Sequence, residues 1–116
     1  MKKIGIITSG GDSPGMNACI RAVVRTAVHQ NIEVLGFYKG YEGIIDNNFV
    51  KLDTTSVSGI IQRGGTILKT ARSQRFMTEE GINQAANNLK QNGIEGMVII
   101  GGDGSFKGAI ELSKRI

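Results

Sequence analysis

Apolar residues along this chain fall into two patterns, short unbroken runs and longer stretches at helical spacing. Lys3-Ile4-Gly5-Ile6-Ile7-Thr8 is an unbroken run that ends at glycines. Continuous rather than alternating hydrophobicity is the mark of a strand buried on both faces, as in parallel sheets. From Met16 to His29 the spacing changes. Ile20, Val23, Val24, Ala27 and Val28 recur with helical period, and Arg21 and Arg25 share another face. Ser13 is the expected N-cap, and Pro14 suits the first helical position. Glu33 to Tyr38 reads as a second strand. Lys39 to Asp53 reads as irregular, with a short strand near Phe49 to Leu52. Ser56 to Gln62 predicts a short helix. Thr78 is expected to cap a helix that runs to about Gln91, with Ile82, Ala85, Ala86 and Leu89 inward and Asn92-Gly93 as its stop. Met97 to Ile100 is another buried strand, and a further helix starts near Ser105.

Strands and helices alternate, so the predicted class is α/β with a mainly parallel sheet. The chain shows no linker, low-complexity segment or tandem repeat, and residues 1–116 read as one unit. One internal echo stands out. Ile6-Ile7-Thr8-Ser9-Gly10-Gly11-Asp12-Ser13 and Val98-Ile99-Ile100-Gly101-Gly102-Asp103-Gly104-Ser105 are built alike: a strand, Gly-Gly-Asp, then a helix start. In a parallel sheet both loops fall at the carboxyl ends of strands, the edge where open α/β sheets bind ligands.

Composition sharpens this picture at one point. Glycine makes up 17 of 116 residues, about double its usual share, without a collagen-like period. The hydrophobic fraction of 40% supports a packed core. The net charge of +4 suits a phosphorylated ligand and an ordinary soluble enzyme equally. Nucleic-acid binding calls for clustered basic residues with stacking aromatics, and aromatics are 5% with no tryptophan. The single Cys19 excludes an internal disulfide and a multi-cysteine zinc site. Cys19 is expected in the core, and His29 at the solvated end of its helix. The first apolar run is too short for a signal sequence or a membrane span, so a cytoplasmic protein is expected.

The glycine loops permit one chemistry in particular. Without a Cβ, a glycine N–H can approach a phosphate, and a helix N-terminus adds free donors and a positive dipole end. Asp103 beside such a loop is a candidate Mg²⁺ ligand, because a carboxylate near phosphate calls for a cation between them. Asp12 is either a second carboxylate near a transferred group or a loop residue accepting backbone hydrogen bonds. One such loop alone reads equally well as a plain strand-to-helix turn; two on one edge favour phosphate. There is no Walker A loop, and Gly102 to Gly108 misses the dinucleotide fingerprint because its last glycine falls one residue late. Arg63-Gly64-Gly65-Thr66 and Thr70-Ala71-Arg72 form a third polar cluster. Arg72 is either a charge-neutralising group for a phosphoryl in transfer or an ordinary surface arginine. Arg21 and Arg25 repel one another unless an anion lies between them, and otherwise form a solvated face. Tyr41 packs or hydrogen-bonds a ligand.

The segments Ile7 to Ala18, Gly40-Tyr41-Glu42-Gly43, Arg63 to Arg72 and Ile99 to Ser105, taken in order, resemble the bacterial ATP-dependent 6-phosphofructokinases. Gly-Gly-Asp-Gly by itself is shared with NAD kinases and diacylglycerol kinases, but the combination is specific. The resemblance implies a three-layer, Rossmann-like sheet with flanking helices, of which residues 1–116 are the N-terminal, ATP-binding portion. It implies that ATP is held by Gly11, Arg72, Ser73, Gly102, Asp103, Gly104 and Ser105. Asp103 would stand at Mg²⁺, and Arg72 would stabilise the transferring phosphoryl. Gly104 resembles the ATP-using branch, since the pyrophosphate-using branch tends to carry aspartate there.

The resemblance further implies phosphoryl transfer from MgATP to fructose 6-phosphate in glycolysis. It implies a homotetramer, and an effector site for ADP or phosphoenolpyruvate at a subunit interface. That site would use Arg21, Ala22, Val23, Val24 and Arg25 together with Thr54, Thr55, Ser56, Val57, Ser58 and Gly59. Thr54 and Gly59 stand where many members carry arginine and an acidic residue, and Ser73 where many carry a larger residue, so altered effector contacts and a looser nucleotide pocket are expected. The family's catalytic aspartate and its sugar-phosphate residues come later than residue 116. The isolated chain is therefore expected to be inactive. The alternatives are a non-catalytic nucleotide-binding fragment and another kinase with a Gly-Gly-Asp-Gly loop, such as an NAD kinase.

Overall fold

The computed structural model describes residues 2–10, 15–63 and 65–116, and the side chains of Gln62 and Asp103 are outside the described set. The expectations for Gly11, Asp12, Ser13, Pro14 and Gly64 therefore lie outside the described residues. Four strands form one sheet: β1 (Lys3–Thr8), β2 (Glu33–Phe37), β3 (Phe49–Leu52) and β4 (Gly96–Ile100), in the order β3-β2-β1-β4. β1 pairs in parallel with both β2 and β4, and β3 runs antiparallel to β2. The mainly parallel sheet predicted from the sequence is observed.

Strand alternation divides the core into two layers. Ile4 and Ile6 of β1 and Val34 of β2 face a cluster with Ile20, Val24 and Ala27 of α1 (Met16–His29). Ile7, Leu35 and Phe37 face the opposite side. There they pack with α2 (Tyr41–Ile45), α3 (Glu79–Gln91) and α4 (Asp103–Ser113). The result is a helix–sheet–helix sandwich, each layer burying the apolar stripe of its helices.

Local signals explain most boundaries. The Thr78 hydroxyl caps α3 by accepting from the Gly81 amide, and Gly93 ends it in the left-handed region at φ 72°. The structure differs from the sequence expectations at several points. The stretch expected to be irregular contains α2, whose Gly43 cannot carry a Cβ without striking the Tyr38 carbonyl. The helix expected over Ser56 to Gln62 is a turn with only Ile60–Gln62 in a 3-10 conformation, preceded by Gly59 at φ 75°. A second 3-10 turn, Arg75–Met77, was not expected, and α4 begins at Asp103 instead of near Ser105. Cys19 is exposed rather than in the core, and Val28 is exposed as well. The buried stripe of α1 follows Met16, Ile20, Val24 and Ala27. Its flank with Ala22 and Val23 instead borders an open apolar groove beside Met97 and Val98 of β4.

Candidate functional site

The carboxyl ends of β1 and β4 lie side by side, with Thr8 in register with Ile100 and the Ser9 amide donating to the Ile100 carbonyl at 2.9 Å. The start of the first glycine loop, Ser9-Gly10, therefore lies beside Gly101-Gly102 of the second. Gly10 takes φ 85°, and a Cβ there would come within 4.0 Å of the Gly102 amide nitrogen. At Gly101 a Cβ would lie 2.6 Å from the Ser9 carbonyl, too close for any side chain. Gly102 and Gly104 are different, since a Cβ on either would point into open space. Both border the same cavity, and internal packing requires glycine at neither. The first turn of α4, whose N-cap makes no side-chain hydrogen bond, brings the positive end of its dipole to the same place.

That place is a cavity of about 810 Å³, bounded by Ser9, Gly10, Gly102, Gly104 and Ser105 on one side and by Thr70, Arg72 and Ser73 on the other. Side-chain hydrogen bonds draw the second wall in from a distance. The Thr8 hydroxyl donates to the Lys69 carbonyl and pairs with the Thr66 hydroxyl, each at 3.0 Å, while Thr66 Oγ1 accepts from the Leu68 amide. Buried Asn17, in the first turn of α1, donates to the Arg63 carbonyl and accepts from the Ile67 amide. Thus the end of β1 and the start of α1 together anchor Arg63 and residues 66–69, and the chain runs on from them to Arg72. The Arg72 side chain is exposed at the cavity and has no carboxylate partner among the described residues. A guanidinium beside a helix N-terminus and bare glycines is an arrangement complementary to phosphate.

Tyr41 of α2 lines the cavity and its neighbour Glu42 bonds to the second wall, roles that sequence spacing does not reveal. The Tyr41 ring stacks on Phe76 with centroids 4.1 Å apart, and its hydroxyl donates to the Ser105 carbonyl. Burial pushes the Tyr41 phenol up to about 12. Gly108 of α4 lies against this pair: a Cβ there would be 2.9 Å from Tyr41 Cζ and 3.0 Å from Phe76 Cε2. Glu42 receives the Ser73 hydroxyl at 3.0 Å and the Arg75 Nε at 2.9 Å. The Ser73 hydroxyl is therefore engaged with the protein, and also accepts from the Phe76 amide at 3.2 Å. Asp46 shares the Arg75 guanidinium at 2.8 Å. Together Asp46 and Glu42 hold the Arg75 pKa above its usual value.

On the opposite layer, Arg21 is half-buried and Arg25 exposed on α1, and neither forms an ion pair among the described residues. Val24 and Val57 are fully buried in one cluster, which sets the 21–25 stretch beside the 54–59 turn. Their own side chains serve that cluster. Thr54, Thr55, Ser56 and Ser58 are exposed. Ser56 caps its own turn through Asp53, whose carboxyl it holds below the ordinary carboxylate range. Asp103 opens α4, and the expectation of a metal ligand there concerns a side chain outside the described set. No described helix is long and apolar enough to cross a membrane.

Fold and cavity together define an open α/β protein with a candidate ligand edge, where glycine-bearing strand ends face an arginine that has no ion-pair partner among the described residues. The chain belongs to the phosphofructokinase family, whose profile matches residues 3–116. The ATP-dependent 6-phosphofructokinase of Halothermothrix orenii is 56% identical over all 116 residues, and that of Natranaerobius thermophilus is 58% identical over 114. The chain spans 35% and 36% of the lengths of these two relatives. Among solved structures, the phosphofructokinase of Saccharomyces cerevisiae superposes with a TM-score of 0.93 at 47% identity, over 99% of this chain and 16% of that one. A pyrophosphate-dependent phosphofructokinase from Marinobacter aquaeolei shares the fold at a TM-score of 0.84 and 19% identity, over 98% of this chain and 29% of that one.

Proposed function

We propose that residues 1–116 form the nucleotide-binding portion of a kinase that transfers a phosphoryl group from MgATP to fructose 6-phosphate. The observation that carries this reading is the convergence on one cavity of Gly102 and Gly104, the first turn of α4 and the Arg72 guanidinium, which has no ion-pair partner among the described residues. The helix amides and Gly10 take the phosphate chain. Gly11 and Asp103, placed by the resemblance, complete the nucleotide set with Ser105, and Ser73 contributes through the wall it holds. Bound at Asp103, Mg²⁺ would neutralise phosphate charge. Arg72 offsets charge that builds on the group in transfer, an effect that requires no covalent step from the protein.

On the same resemblance, the group that takes the proton from the sugar hydroxyl and the residues that hold the sugar phosphate come from sequence beyond 116. We expect the purified chain to convert no fructose 6-phosphate at saturating MgATP. Turnover above background that is abolished by Asp103→Ala would overturn that expectation. Half-buried Arg21 and exposed Arg25, beside the 54–59 turn, suit an anionic effector such as ADP or phosphoenolpyruvate. In the family that site lies between subunits of a tetramer.

A further inference from the structure

Arg72 follows an irregular stretch and precedes Ser73, so its position at the cavity depends on what holds the chain around it. Ser73 and Arg75 both converge on Glu42 Oε1, with the Arg75 terminal nitrogen 2.7 Å away in addition to the Nε and hydroxyl contacts. The Glu42 side chain is 26% exposed, partly withdrawn from water, and these three contacts engage its Oε1. The residue before it, Tyr41, reaches the other wall at the Ser105 carbonyl and stacks on Phe76, the residue after Arg75. Neighbouring positions on one five-residue helix thus touch both sides of the cavity. Resting on the nucleotide reading above, we propose that Glu42 is a positioning residue. Through Ser73 and Arg75 it sets the Arg72 guanidinium at the distance from the Gly102–Ser105 turn that favours a nucleoside triphosphate over a diphosphate.

The bracket is specific in what it predicts. Losing Glu42 frees the Ser73 hydroxyl and leaves Arg75 with Asp46 alone, so the Arg72 segment relaxes while the amides of α4 remain. Contacts to the inner phosphates persist, and the contact to the outermost phosphate weakens. Glu42→Gln keeps an acceptor for the Ser73 hydroxyl and loses the charge that holds Arg75, so its effect is intermediate.

Calorimetry with MgATP and MgADP on this chain tests the proposal, with circular dichroism confirming that each variant is folded. The expected result is a fall of about tenfold in the MgATP-to-MgADP affinity ratio for Glu42→Ala, the scale of one charged hydrogen bond. Glu42→Gln should show a smaller fall and near-constant MgADP affinity. Equal loss for both nucleotides, or none, overturns the proposal, because a merely stabilising role would not change the ratio. Should the unaltered chain bind neither nucleotide, the nucleotide reading fails by itself. The Arg72 Nε–H resonance then decides the bracket: a shift in Glu42→Gln supports it, and an unchanged signal contradicts it.

Discussion

Packed flat on Phe76 and bonded to the Ser105 carbonyl, the Tyr41 phenol is held in its neutral form. Its folded-state pKa of about 12 lies above the ordinary 10.0, so its contribution to stability is complete below pH 10. That contribution is lost as the pH rises from there through about 12. In a Tyr38→Phe background, where Tyr41 is the remaining tyrosine, tyrosinate absorbance should appear near pH 12 rather than 10. The sequence left Tyr41 open between packing and ligand binding, and the structure shows it packing and bonding within the protein. Cys19 shows why single residues are hard to read from sequence. Helical period locates the centre of an apolar stripe, but its width depends on what covers the flank. Beside Val23 the flank of α1 faces an open groove.

Strands of continuous hydrophobicity and helices with a cap and a stop were legible because each signal lies within one segment. Thr78 is the clearest case, since its hydroxyl satisfies the Gly81 amide as predicted. Thr78→Ala should lower unfolding free energy by about 1 kcal/mol, read as a lower midpoint in chemical denaturation with an unchanged slope. An unshifted midpoint would mean that the cap is idle. Helix α2 escaped notice because five residues with glycine at positions 40 and 43 have the composition of a loop. Its role depends on contacts to residues more than 30 positions away, at Ser73, Arg75 and Ser105. No periodicity records such pairs.

At the scale of the molecule, the repeated strand–Gly-Gly-Asp–helix construction points to this edge as the candidate ligand site before any geometry. Parallel pairing of β1 with β4 is what turns two distant sequence segments into adjoining loops. The second wall could be named from sequence as a polar cluster, but not placed. The Thr8, Thr66 and Asn17 side chains that draw it to the edge bond across 46 to 61 residues. The central claim is that this edge, with Arg72 opposite it, is a preformed site for nucleotide phosphates. Calorimetric titration of the chain with MgATP, alongside Arg72→Ala, addresses it most directly. The account predicts saturable binding that Arg72→Ala weakens about tenfold or more, the loss of one charge-assisted phosphate contact, with little change in thermal stability. Absence of binding at millimolar MgATP, or equal affinity in the two proteins, would contradict it.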